Sequence, residues 1–232
     1  SLFEHADRHG RAILALASKP AGMTRNELLA AAELPTGGAM SDLLDELVEA
    51  GFVGRAVPYR KSRKEALYRL TDEYSLFYLK WIERNRSSGP DVWLKKQSSP
   101  AWRAWSGYAF ENVCMKHIRQ LKHAIGIAGV ETEEAGWIHR PVDRSDAGAQ
   151  IDLLIDRRDH CINLCEMKFA DGEFEIDKRC ADDLRRKRDV FRHVTGTRKT
   201  VFLTLVTTVG VKDNAYRHEL NVQPISLDAL FA

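Results

Sequence analysis

No stretch of the chain reaches the roughly 18 uncharged apolar residues that a membrane-spanning helix needs, which excludes such a span. Nor do residues 1–10 read as a secretory signal, since they are charged and no apolar core precedes a cleavage site. The four cysteines, Cys114, Cys161, Cys165 and Cys180, form no Cys-x-x-Cys pair and have no histidines at finger spacing. A zinc site and a disulfide framework are therefore poor readings, and buried thiols in a reducing cytoplasm fit better. Net charge is small, +2 from 35 basic and 33 acidic residues, so attraction to nucleic acid must come from local asymmetry. No Gly-x-x-x-x-Gly-Lys-Ser/Thr occurs, and no ATP site is expected. The missing initiator Met is what a piece cut from a longer chain would show.

What is present is an ordinary globular balance, 44% apolar and 29% charged over 232 residues, enough for one large domain or two small ones. An apolar helix around Ala12, Leu14 and Leu16 stops before Lys19-Pro20-Ala21-Gly22. Thr24 with Glu27 predicts a capping box, opening a helix through Glu33. Ser41 is the expected cap of a third helix, with Leu43, Leu44, Leu47 and Val48 as its stripe and Gly51 as its stop. Phe52 to Val57 and Ala66 to Leu70 read as two strands joined by a basic segment. Three helices and a β-hairpin describe a winged helix, followed by another helix from Thr71 to Arg84. Ser87-Ser88-Gly89-Pro90 is the expected linker, with Trp93, Trp102 and Trp105 packed at the joint, dividing the chain into domains 1–88 and 89–232.

Beyond it, one long helix is expected from Pro100 to about Lys122. Strands are expected at Ala135–Arg140, Ile151–Asp156, Cys161–Phe169 and Thr200–Thr207, with a helix from Ile176 to Val194. Helix, three strands, helix, strand is a mixed α/β pattern, so the whole chain is α+β.

Asp152 sits in the otherwise aliphatic strand Ile151-Asp152-Leu153-Leu154-Ile155, and Glu166-Met167-Lys168 ends the strand begun by Cys161. An odd turn centred on Asp159 sets position 152 opposite 166, with Lys168 on the same face; a two-residue turn would separate them. Two carboxylates in apolar strands call for a cation, and a hard divalent ion takes carboxylates together with waters and phosphate oxygens. Such an ion acidifies a water and stabilises charge on a phosphoryl group. Lys168 could orient that water, help deprotonate it or stabilise the pentavalent transition state. Glu111, on the edge of the face formed by Phe110, Val113, Cys114, Ile118 and Leu121, is a third carboxylate within reach.

These residues in this order resemble the PD-(D/E)xK nuclease superfamily, a restriction-endonuclease-like fold. The resemblance implies Asp152, Glu166 and Glu111 as ligands of Mg²⁺ or Mn²⁺ and Lys168 as the catalytic lysine. Gln150-Ile151 stands where the motif has its proline, and Gln150 is a candidate for supporting the site from behind. Winged helix plus this module further resembles the C-terminal half of archaeal-type P-loop ATPases, whose AAA-like ATPase domain would lie upstream as partner. The resemblance implies a hydrolase acting on DNA, or a nuclease fold emptied of activity and kept for regulation and docking. A transcription regulator using the winged helix alone is the third reading.

Cys180, Leu184, Lys187, Phe191 and Val194 form a stripe spaced by 4, 3, 4 and 3. Lys187 in it either points at the site or covers apolar surface with its stem while its amine reaches solvent. The helix from Ser41 to Ala50 carries Asp42, Asp45, Glu46 and Glu49 and no basic residue, which disfavours base readout. The hairpin is the reverse: Arg55, Arg60, Lys61, Arg63, Lys64 and Arg69 face only Glu65, so non-specific contact with the DNA backbone falls there. A second basic run, Asp182 to Lys199 at +4, is either a solvated helix face or a phosphate track. His193 and His218 have no ligand-spaced partner.

Overall fold

Ala12, Ala15 and Leu16 bury one side of the first helix, α1 (Ala6–Ser18). The structure is a computed structural model and describes residues 6–83, 92–97, 99–141, 143 and 147–231. After β1 (Met23–Thr24) the expected capping box closes: the Thr24 hydroxyl accepts the Glu27 N–H, and the Glu27 carboxylate accepts the Thr24 N–H at 2.8 Å. This starts α2 (Arg25–Ala31).

The next helix, α3 (Gly38–Glu49), begins three residues ahead of the expected cap Ser41. Met40 explains the difference, because its side chain is buried and draws the first turn into the core. Gly51, at φ +78°, follows the helix in the left-handed conformation expected of a stop. β2 (Val53–Ala56) and β3 (Leu67–Leu70) then pair antiparallel, and β1 lies on the other edge of β3. Leu28, Leu29, Leu44 and Leu47 centre the core of this small three-stranded unit. α4 (Glu73–Phe77), capped by Asp72, continues as a π turn over Tyr78–Ile82, and α5 (Val92–Lys96) follows later. The expected helix end at Arg84, the linker Ser87–Pro90 and the side chain of Trp93 lie outside the described residues.

By its contacts the chain divides between Ala104 and Trp105, inside α6 (Pro100–Lys116), whereas the sequence suggested 88/89. In the second unit, the single helix expected as far as Lys122 is broken. His117 leaves helical geometry at φ −112°, ψ 29°, its N–H reaching back three residues to Cys114 while Nδ1 lies 2.7 Å from the Val113 carbonyl oxygen. α7 (Ile118–Ala124) starts anew.

A five-stranded sheet follows in chain order: β4 (Thr132–His139), β5 (Ala149–Arg157), β6 (Cys161–Lys168), β7 (Thr200–Thr207) and β8 (Val222–Ser226). The first three are antiparallel, and β7 and β8 run parallel to β6. α8 (Lys178–Thr195) connects β6 to β7, and α9 (Ala215–Glu219) connects β7 to β8. Leu153, Ile155, Cys165 and Met167 pack on one face against Phe110, Cys114 and Leu121. Side chains alternate along a strand, so their neighbours Asp152, Leu154, Leu164 and Glu166 face the other way, towards α8. There Phe191 of α8 meets Trp137 of β4 edge-on at 5.1 Å.

Asn163 is a polar group within the buried part of β6. It donates to Thr204 of β7 at 3.2 Å and accepts from Arg157 of β5 at 3.1 Å, so its amide is satisfied on both sides. The architecture is thus α+β: one unit has a small antiparallel sheet with helices, the other a mixed five-stranded sheet with helices. Among the described residues no helix is long and apolar enough to cross a membrane.

Candidate functional site

Register brings the two acidic strand residues together. Leu153 pairs with Cys165, Leu154 with Leu164, Ile155 with Asn163 and Asp156 with Ile162, a ladder centred on Asp159. Continued by one residue, it sets Asp152 abreast of Glu166. The turn that fixes this count is held by Arg157, which donates from Nε to Asp159 at 2.9 Å, and by His160 in a left-handed conformation at φ 62°.

Past Leu153 the ladder gives way to a side-chain bond. The Met167 N–H donates to Asp152 Oδ2 at 3.1 Å, fixing one oxygen of that carboxylate against β6. Glu166 is buried, and two ammonium groups meet on its Oε1: Lys168 Nζ at 2.8 Å and Lys187 Nζ at 2.6 Å. Lys187 therefore points into the cluster from α8, which corrects the alternative that its amine reaches solvent. Val194, expected in the same inward stripe, is exposed. Glu111 is half-buried on α6 and acts on Asp152 through its charge. Gln150 is exposed on β5 opposite Ile138, and among the described residues it makes no bond to the cluster.

Electrostatics follow from this arrangement. Burial, then the Glu166 charge, then the Glu111 charge push the Asp152 carboxyl up to about 7; the Met167 N–H and Lys187 only partly offset them. Desolvation opposes the charge on Lys168, but the Glu166 carboxylate outweighs it and holds the lysine above its ordinary pKa. Lys168 is thus an ammonium at neutral pH. Burial drives the Cys114 and Cys165 thiols up to about 12, so neither is a nucleophile. Among the described residues, no group of three His, Cys, Asp or Glu side chains that could hold a metal ion is gathered.

Other features carried weaker signals in the sequence or none. A cavity of about 730 Å³ opens beside Lys168, lined among others by Phe174, Asp177, Arg179, Cys180 and Arg186. Asp183 Oδ2 lies 3.5 Å from Lys187 Nζ, a pair visible as the spacing i, i+4 on one helix. The Met167 N–H is backbone and leaves no trace in residue type.

The basic runs are less free than their composition suggests. In the hairpin Arg55 is bonded to Asp45 of α3 at 2.5 Å, and Lys61 pairs with Glu65 at 3.0 Å. Arg60 lies over the Tyr59 ring, and Arg63 and Lys64 are exposed in a 3₁₀ turn. On α3, Glu46 lies 2.8 Å from His9 Nε2, so two of that helix's four acids have partners within the unit. Along α8, Arg185 bonds Asp182 and Glu219, Arg186 bonds Asp183, and beyond the helix Lys199 bonds Asp156. His218 is exposed and paired with Asp213. No family model, curated protein or solved structure matches the chain.

Proposed function

We propose that the chain is the DNA-binding and hydrolytic portion of a larger ATPase: a winged helix followed by a PD-(D/E)xK-type domain that hydrolyses phosphodiester bonds with Mg²⁺ or Mn²⁺. One observation carries the reading: just past the paired ladder, Asp152 and Glu166 lie on neighbouring strands within reach of each other's charge, with Lys168 bonded to Glu166. The order of a helix, three antiparallel strands, a crossover helix and a parallel strand supports it. So does the donor set, which is all oxygen and suits a hard ion. The upward shift at Asp152 expresses a crowding of negative charge that a cation relieves.

Asp152 and Glu166 would hold the ion, with the Glu111 charge beside Asp152 adding to the pull on it; the ion would supply an acidified water and positive charge at the phosphoryl group. The Met167 N–H orients Asp152 for this. Lys168, kept protonated, hydrogen-bonds the attacking water or stabilises the charge of the transition state; a group held as ammonium does not serve as the base. Arg60, Arg63 and Lys64 contact the phosphate backbone without reading bases. The test is nicking of plasmid DNA in Mn²⁺ by the wild type and by Glu166→Ala. Cutting by the first alone is expected. Equal cutting by both, or none by either across duplex, branched and single-stranded substrates, overturns the reading.

A specific observation favours one other reading, an inactive nuclease fold kept for docking to the ATPase. Glu166 Oε1 already has two ammonium partners, so the site is compensated without a metal. Under that reading a calorimetric titration with Mn²⁺ gives no heat that depends on Asp152.

A further inference from the structure

Glu166 has more positive charge on one oxygen than a single carboxylate needs. The two ammonium groups lie at 2.8 and 2.6 Å from Oε1, and like charges so close repel each other. Their surroundings differ. The Lys168 side chain is 38% exposed and lines the cavity beside the site, whereas that of Lys187 is only 14% exposed, its amine between Glu166 and Asp183. Asp183 lies one turn earlier on α8 and offers Lys187 its Oδ2, while its Oδ1 holds Arg186.

Resting on the metal-site reading above, we infer that Lys187 is the resident counter-cation of Glu166, and that it yields this carboxylate to a divalent ion by moving onto Asp183. In the metal-free protein the lysine neutralises a buried carboxylate that would otherwise be costly to keep charged. A divalent ion on Glu166 adds further positive charge to the same group, and one ammonium must leave. Lys168 faces the cavity, where the substrate phosphate would lie. Lys187 has a second carboxylate 3.5 Å away on its own helix, so a change of rotamer suffices. Lys187 is thus a positioning residue: it holds Glu166 in place before the ion arrives and sets how tightly the ion binds.

The direction of the effect separates this role from a structural one. Removing a merely structural lysine loosens the site and weakens ion binding; removing a competitor tightens it. Calorimetric titration of the chelator-stripped full chain with Mn²⁺ should show Lys187→Met binding about tenfold tighter than the wild type or better. Asp183→Asn, which removes the alternative partner, should bind at least about threefold more weakly. Binding by Lys187→Met that is weaker than wild type, or within about twofold of it, overturns the inference and leaves the metal site standing. Absence of Mn²⁺ binding by all three proteins overturns the metal site and the displacement together. Should circular dichroism find Lys187→Met unfolded, Lys187→Gln, which keeps a donor for Glu166 without its charge, carries the same comparison.

Discussion

Asp152 is ionised at a cost, because its carboxyl is pushed from 3.8 to about 7 on folding. Between those values the folded chain binds more protons than the unfolded one, so this group favours folding at low pH and loses that contribution as pH rises through about 7. Asp152→Asn has nothing to titrate. In chelator it should melt increasingly above the wild type from pH 4.5 to 7, levelling off beyond, at about 2–4 °C per kcal/mol for a chain of this size. A melting difference that stays constant with pH would show that Asp152 is not strained by its charge. The same residue was legible in the sequence because an acid among Ile, Leu and Leu is anomalous in a strand. Asp183 was hidden for the opposite reason, being one charge among many on a charged helix.

Elements carry the next set of consequences. The Thr24 cap is a local device, and Thr24→Ala should destabilise the protein by about 1 kcal/mol in urea unfolding. The β2–β3 hairpin divides its basic residues by their partners. Arg55, already bonded to Asp45, should be silent: Arg55→Ala leaves the affinity for non-specific duplex DNA unchanged. The double change Arg63→Ala and Lys64→Ala should lower that affinity and make the slope of log K against log salt shallower by about 0.9 for each phosphate no longer neutralised, read by fluorescence anisotropy. An equally large drop in affinity from Arg55→Ala would mean that its ion pair opens to meet phosphate.

Element by element, the sequence was legible where a signal was local. The capping box, Gly51 and the strand β7 were read at their observed positions, and the odd turn at Asp159 set the register. Tertiary demands overrode the rest. Met40 pulls α3 back ahead of Ser41, and His117 breaks a helix whose apolar spacing runs on across the break. β8 escaped notice because Pro224 interrupts Val222–Ser226, and a strand that among the described residues is at the sheet's edge beside β7 tolerates that proline.

For the whole molecule, separate cores stand where composition offered one average. Leu47 lies in one and Leu153 in another, both fully buried. Leu47→Ala and Leu153→Ala should each cost about 2–5 kcal/mol, measured as faster amide exchange within the mutated unit's own helices or strands. The division at Ala104/Trp105 was not legible, since it falls inside a helix, and a turn-rich stretch near residue 88 gave the stronger local signal. Overall charge also misled in one respect. Much of the basic run along α8 is matched by acids of the same unit, and a count of lysines and arginines cannot reveal such pairing.

Asn163 extends this to the lengthwise fit of the central strand. Its amide is keyed to Thr204 on one side and Arg157 on the other, so a slide of β6 by even one position would strand it without partners in an oily interior. Glu166 rides on the same strand three positions further on. The alignment of the acid with Asp152 is therefore locked from behind, by a side chain on the opposite face that no ligand of the cluster would touch.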